Sequence, residues 1–359
     1  MSITQKRHGM VGLPFHALVG LQHEILAQMA ERAIIYAVQA AWLRCNQQPP
    51  EEPDVVAALT VDMTRMLGTH WGSFFEQFGI CFSLFGVYCH QRPKVTYANM
   101  PSHHDSCELG DLLIVHCHHP RHAPTERTAI LLQAKVRPDH HRIASDDYHQ
   151  LRLYEQWPEF SYTTILRGIS RDITPKHAHA GAQFLLIDER PPWDISSGIG
   201  GWPGAFPLGI AIPAPILSIY RPFQLCLTEM LLGVAGRPVK DKQEAYEGSG
   251  WSAMVWDLLQ SAVEKAFNRR HAGYHKQPRG IFGSASNHSD GQFMAFCTPG
   301  ETRQVSSTIR RILGEGGVGM LYTTGDAEPP TELPPEGEYH DQQSGISLIL
   351  IETAEMNSE

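Results

Sequence analysis

Four side chains in the middle of the sequence could together support hydrolysis of a phosphodiester. Glu108 and Asp111 stand just before one short apolar run. Gln133 and Lys135 directly follow another. Carboxylate and amide oxygens suit Mg²⁺, which also keeps waters and accepts substrate phosphate oxygens. A bound cation acidifies its water, and a neighbouring ammonium can orient that water and neutralise charge on the phosphate. The residue types therefore predict a metal centre beside a catalytic amine, Lys135.

The two apolar runs predict neighbouring buried strands that would position these residues. Residues 112–115 and 130–132 are bounded by polar, proline-rich and histidine-rich sequence, which is typical of short strands in a core. Side chains alternate along a strand, so Gln133 and Lys135 share one face. If the strands are adjacent, this pair lies close to the two acids.

This pattern resembles the PD-(D/E)xK nuclease superfamily, in the form where Gln replaces the second acid. Asp111 matches the metal-binding Asp of the family, and Gln133 and Lys135 match its (D/E/Q)-x-Lys pair. Glu108, three residues before Asp111, is similar to the Glu-x-x-Asp variant of bacterial defence-associated members. The resemblance implies that Glu108, Asp111 and Gln133 hold Mg²⁺ or Mn²⁺.

A second element of the resemblance follows downstream. Gln150 and Tyr154 match the Gln-x-x-x-Tyr element of the RecB-like branch, which lies on the helix after the catalytic strands. Residues i and i+4 project from one face of a helix, so both side chains would face the site. The first helix of the superfamily usually supplies a further Glu, for which Glu76 is the candidate.

The resemblance also implies a fold and a function. We expect an α/β protein with a mixed central sheet flanked by helices, a restriction-endonuclease-like core, and an N-terminal helical segment. We expect a metal-dependent endonuclease acting on nucleic acid, on DNA in preference to RNA, as an effector of a prokaryotic antiphage defence system. A protein partner, or a homo-oligomer in a defence complex, is then expected as well.

Other interpretations of these residues stay open. Asp111 could be a turn or cap residue, and the Gln-x-Lys pair could be the solvated face of a strand. Gln150 and Tyr154 could belong to an ordinary amphipathic helix, and Glu76 to a packed one. A catalytically inactive or partner-assembling member of the same fold is the first alternative function.

A zinc-dependent hydrolase is the second alternative. The chain has 20 histidines, and several of them crowd the predicted site together with one cysteine. These are His103, His104, His116, Cys117, His118, His119 and His122. A zinc site requires about four N or S ligands in a tetrahedral arrangement, and consecutive residues of a strand face opposite sides. We therefore expect most of these residues to be polar loop residues near a phosphate site.

Composition indicates a soluble globular protein. The chain has 359 residues, of which 42% are hydrophobic and 19% charged. It shows no basic-then-apolar leader pattern at its start and no apolar run near the ~18 residues that a membrane span requires. We expect a cytoplasmic location without a membrane. The seven cysteines have no Cys-x-x-Cys spacing, so we expect them to be reduced and mostly buried.

A net charge of −9 argues against an enzyme that binds nucleic acid. The distribution of the charge weakens this argument. Ten acids and no Lys or Arg follow Arg311, so the last 48 residues carry −10 and residues 1–311 sum to +1. Residues 119–154 contain six Lys or Arg against four acids. The modest positive field around the predicted site fits a phosphate backbone.

We predict three segments along the chain, namely an N-terminal helical segment (1–54), a nuclease-like core (55–235) and a C-terminal region (236–359) with a long helix and an acidic, proline-rich linker. Within them, apolar spacing predicts a series of elements. The helices are a long helix or broken pair over 13–43, then 55–67, 73–82, 147–156 and 251–270. Further strands are predicted at 184–187, 208–212 and 346–351.

Overall fold

A computed structural model shows an α/β fold in which helices cover both faces of a mixed sheet. The structure describes residues 13–89, 93–100, 105–137, 148–164, 166–174, 176, 181–191, 207–248, 250–268, 293–297 and 346–355. The predicted acidic, proline-rich linker, residues 326–339, lies entirely outside these residues.

Eight helices are present in the described ranges. They are α1 (Phe15–Leu21), α2 (His23–Arg44), α3 (Glu52–Ala58), α4 (Thr64–Glu76), α5 (Tyr148–Gln156), α6 (Phe223–Leu231), α7 (Lys242–Gly248) and α8 (Gly250–Asn268). A π-helical turn, Leu59–Met63, joins α3 to α4. The predicted broken pair over 13–43 is confirmed by α1 and α2, and the helices over 147–156 and 251–270 are confirmed by α5 and α8.

The described strands form two sheets. They are β1 (Ile80–Cys89), β2 (Lys94–Tyr97), β3 (Cys107–Glu108), β4 (Leu112–His119), β5 (Glu126–Arg137), β6 (Phe160–Tyr162), β7 (Ser170–Arg171), β8 (Ala182–Asp188), β9 (Leu208–Ala211), β10 (Ile219–Pro222), β11 (Arg237–Pro238), β12 (Phe293–Cys297) and β13 (Ser347–Glu355). All five strands predicted from the sequence are present.

The large sheet has the order β10-β9-β8-β5-β4-β13-β1-β12, with β11 paired to β5. Strand β4 is antiparallel to β5 and parallel to β13, and β5 is parallel to β8. The small sheet has the order β3-β2-β6-β7. The predicted adjacency of the two strands that carry the candidate residues is therefore confirmed.

The alternation of β4 sends its side chains into two separate cores. Leu112 and Ile114 pack with α1 to α4 and α6 on one face. Leu113 and Val115 pack with α5, α8 and the small sheet on the other face. Both faces of the strand are buried, which explains why its sequence is a continuous apolar run.

The predicted division of the chain into three segments does not coincide with separate packed units. Strand β13, from the C-terminal region, lies between β4 and β1 in the large sheet. Helix α2, from the N-terminal segment, packs through Leu26 and Ile34 into the core that also contains β4. The segments differ in composition, but their apolar faces are buried against one another.

The helix predicted over residues 73–82 is wrong at its C-terminal end. Helix α4 ends at Glu76, and Gly79 adopts a φ of +70°, a left-handed conformation that suits glycine and ends the helical turn. Strand β1 begins at Ile80. Strand β1 is buried on both of its faces, because Leu84 enters one core and its neighbour Phe85 enters the other.

Candidate active site

The antiparallel register of β4 and β5 brings the candidate acids and the Gln-x-Lys pair to one end of the two strands. Leu112 pairs with Leu132, and the Asp111 N–H donates to the Leu132 carbonyl at 2.9 Å. Asp111 thus lies opposite Gln133, on the sheet face that α5 covers. The structure brings these predicted residues together.

Asp111 is the centre of the site. Its Oδ2 accepts a hydrogen bond from Gln133 Nε2 and another, 2.7 Å long, from the Ala134 N–H. Asp111 is 8% exposed and Gln133 is 0% exposed. Two donors therefore fix a buried carboxylate at the point where β4 begins.

Helix α5 holds the segment between the two acids. Gln150 Nε2 donates to Glu108 Oε2 at 3.4 Å, and the Tyr154 hydroxyl donates to the Leu109 carbonyl at 2.7 Å. Burial, with the nearby Asp111 carboxylate as the next cause, raises the pKa of Tyr154 well above its ordinary value. The phenol therefore stays protonated, and both residues of the Gln-x-x-x-Tyr element face the site from one side of α5.

Close packing leaves no space for a larger residue next to Asp111. A Cβ added at Gly110 would lie 2.7 Å from Leu131 Cδ1 and 3.0 Å from the Tyr154 hydroxyl oxygen. The contact distance of ordinary carbon atoms is ~3.5–4.0 Å. Glycine at this position therefore lets the backbone before Asp111 approach β5 and α5 closely.

Two buried amide oxygens in the site have no hydrogen-bond partner among the residues that the structure describes. They are Oε1 of Gln133 and Oε1 of Gln150. The amide orientation of each side chain is set by the carboxylate that accepts from its Nε2, so neither can be turned over without losing that bond. A buried polar atom without a partner costs ~1–3 kcal/mol. This cost points to a ligand that would engage the two oxygens, and an oxygen-seeking cation fits them.

Lys135 lies at the edge of this group and pairs with an acid that the sequence did not single out. Its Nζ is 3.9 Å from Glu52 Oε2, and the Val136 N–H donates to Glu52 Oε1 at 3.2 Å. Glu52 is the first residue of α3, whose capping box between Glu51 and Asp54 fixes the start of the helix. That capping pattern marks the start of a helix but does not indicate a contact with Lys135.

The structure places Glu52, rather than Glu76, beside Lys135. Glu76 is the exposed last residue of α4, whereas Glu52 contacts both the side chain of Lys135 and the backbone of its neighbour. The role of Glu76 as the further Glu stays a prediction.

His116 and His118 of β4 belong to the other face of the sheet. The His116 Nδ1–H donates to the Met230 carbonyl at 3.0 Å, its Nε2 contacts Thr353 Oγ1 at 3.1 Å, and His118 Nδ1 contacts the same hydroxyl at 2.9 Å. Burial lowers the pKa of His116 to about 3 and that of His118 to about 4. The expectation that they are loop residues near a phosphate site is wrong, because they are neutral residues of a buried strand.

No support for a zinc centre comes from the described part of the chain. Within it, no group of three or more His, Cys, Asp or Glu side chains is arranged to hold a metal ion. The candidate magnesium ligands are of a different kind, because they comprise two carboxylates and two amide oxygens. Cys45, Cys81, Cys107, Cys117 and Cys226 are free thiols.

Comparison of this chain with protein-family models, with curated proteins and with solved structures gave no match. Within the ranges that the structure describes, no helix is long and apolar enough to cross a membrane. The assignment of function therefore depends on the geometry of the site and on the resemblance of its residues.

Replacing Tyr154 by Phe tests the hydroxyl that holds the Glu108–Asp111 segment. The change removes a buried hydrogen bond, so we expect the free energy of unfolding to fall by ~1–2 kcal/mol, and cleavage by the folded protein to slow because Asp111 is less fixed. Urea unfolding and single-turnover cleavage measure the two effects.

Tyr220, on β10, provides the control for this change. Its hydroxyl donates to Gln183 Oε1, and this hydrogen bond is 2.9 Å long. Tyr220→Phe should lower stability without slowing cleavage. A Tyr154→Phe variant that cleaves at the wild-type rate when folded would contradict a positioning role for the hydroxyl.

Proposed function

We propose that this chain is a metal-dependent endonuclease with a PD-(D/E)xK-type site on a restriction-endonuclease-like core. The observation that carries the proposal is the pair of unpartnered, buried amide oxygens of Gln133 and Gln150, held next to Glu108 and Asp111. Oxygen ligands of this kind select Mg²⁺ or Mn²⁺ over soft transition metals.

Glu108, Asp111 and Gln133 would hold the ion, and we add Gln150 to this set because its buried Oε1 is also unpartnered. When bound, the cation supplies an acidified water and stabilises charge on the phosphate. The ammonium of Lys135 orients the attacking water and neutralises the developing negative charge. Glu52 pairs with that ammonium at 3.9 Å and helps to hold it in place.

The Tyr154 hydroxyl and the Asp111 backbone N–H position the two acids without touching the reacting atoms. Preorganisation of this kind matters because misplacement of ligands by about 1 Å can cost ~10²-fold in rate. The proposed site therefore combines the candidate metal ligands and Lys135 with the hydrogen bonds that orient the two acids.

The remaining parts of the proposal follow from the resemblance. DNA is the proposed substrate, in preference to RNA, and a prokaryotic antiphage defence system is the proposed setting. A protein partner or self-association would then control the activity in the cytoplasm.

A cleavage assay on supercoiled plasmid, single-stranded DNA and RNA, each with Mg²⁺, Mn²⁺, Ca²⁺ or Zn²⁺, tests the proposal. We expect nicking or linearisation with Mg²⁺ or Mn²⁺, and none with Ca²⁺. Absence of cleavage with every metal would instead favour a non-catalytic member of the fold. Activity that depends on zinc alone would favour a zinc hydrolase.

A further inference from the structure

A second lysine lies next to the candidate metal ligands, on the small sheet. Lys94 is the first residue of β2 and is exposed. In the antiparallel pairing of β2 with β3, Lys94 is directly opposite Glu108. The next pair, Val95 and Cys107, belongs to the core under the small sheet. Lys94 and Glu108 therefore share the other face of this sheet.

The backbone of Lys94 is fixed from the neighbouring segment. Its carbonyl accepts from the Thr163 N–H at 2.9 Å and from the Thr163 hydroxyl at 3.1 Å. Its N–H donates to Thr164 Oγ1 at 3.0 Å. The base of the side chain is thus rigid, while its ammonium group reaches into solvent. No ion pair joins Lys94 to a carboxylate among the residues that the structure describes.

The strand register brings the base of the Lys94 side chain close to Glu108. Side chains directly opposite each other in an antiparallel pair have Cβ atoms ~5 Å apart, and a lysine carries its charge on a flexible four-carbon stem. The ammonium can therefore lie beside Glu108 without entering the group formed by Asp111, Gln133 and Lys135. Successive phosphates of a nucleic-acid strand advance by ~3.4 Å along the helix axis, so a neighbouring phosphate comes within reach of Lys94.

We propose that Lys94 binds the phosphate next to the scissile one in the substrate strand. The inference rests on the proposed nuclease function and assigns this site a strand-binding residue. In this proposal Lys135 contacts the reacting phosphate, and Lys94 contacts the neighbouring phosphate of the same strand. The division follows from their places, because Lys135 is 8% exposed inside the site and Lys94 is exposed at its rim.

Binding of a DNA oligonucleotide at several salt concentrations, with Ca²⁺ in place of Mg²⁺, tests the contact independently of cleavage. Loss of one phosphate contact in Lys94→Ala should weaken binding at low salt and reduce the slope of log K against log salt by about 1. Lys94→Arg should keep the slope. Lys240 is an exposed lysine after β11, which pairs with the other end of β5, so Lys240→Ala should behave as the wild type.

Substrate preference provides the second measurement. The ratio of kcat/KM for an oligonucleotide to kcat/KM for bis(p-nitrophenyl) phosphate should fall several-fold in Lys94→Ala, mainly through KM for the oligonucleotide. An unchanged salt slope, or an equal loss on both substrates, would overturn the inference. A wild-type chain that binds DNA with the expected slope but hydrolyses neither substrate would refute the nuclease proposal and leave the Lys94 contact supported.

Discussion

Replacing Lys135 by Ala will lower the rate of cleavage by ~10²–10³-fold, because groups that orient the attacking water or stabilise charge contribute on this scale. The fold should survive the change. The ion pair with Glu52 spans 3.9 Å, and the Glu52 side chain is 27% exposed, so water can solvate the carboxylate that remains. Single-turnover cleavage with Mg²⁺ and a thermal melt measure the two effects.

Lys242→Ala is a matched control for this variant. Lys242 also makes a polar contact through its Nζ, to Gln260 Oε1 at 2.9 Å, but it lies on α7. The control should melt and cleave as the wild type does. If Lys135→Ala keeps both the wild-type melting temperature and the wild-type rate, Lys135 is not the catalytic amine.

Replacing Asp111 by Asn will weaken metal binding and abolish cleavage, because an amide cannot supply the charge that balances the ion. The hydrogen bonds from Gln133 Nε2 and from the Ala134 N–H end on the same oxygen, Oδ2. An asparagine can present its single side-chain oxygen to both donors and keep them. Loss of the charge also relieves repulsion with Glu108, so thermal stability without metal should hold or rise slightly.

Isothermal titration with Mn²⁺ decides the role of Asp111. Asp241→Asn is the control, since Asp241 is a half-exposed acid whose Oδ1 lies 3.3 Å from Arg127 Nη1, and its loss should leave Mn²⁺ affinity unchanged. Equal affinity in wild type and Asp111→Asn would exclude Asp111 as a ligand. Lower affinity together with an unfolded protein would instead show that the carboxylate is structural.

The parts of the fold that local sequence determines could be predicted. Strands β4 and β5 follow from short apolar runs bounded by polar sequence, and α5 follows from the apolar spacing over 147–156 and from the resemblance of its Gln-x-x-x-Tyr element. The juxtaposition of Asp111 with Gln133 then needed only the assumption that the two strands pair. The two strands are consecutive in the chain, with residues 120–125 between them.

Features that depend on distant contacts were missed. Glu52 lies before Asp54 in a helix start, and nothing in the local pattern indicates that it meets Lys135. The burial of His116 and His118 depends on Met230 and Thr353, which belong to remote segments. The aromatic residues near β1 were compatible with a helix until the packing on both of its faces was known.

The position of β13 has a consequence for when the active site can exist. Ser347 pairs with Leu112, the residue directly after Asp111, so the neighbour of the site-bearing strand is supplied from very late in the chain. Closing so long a loop delays folding. During synthesis, β4 has no parallel partner until residues 347–355 have left the ribosome. Under the proposed function, the site would become ordered only after nearly all of the described chain has been made, and fragments released early would carry the candidate residues without the sheet that aligns them.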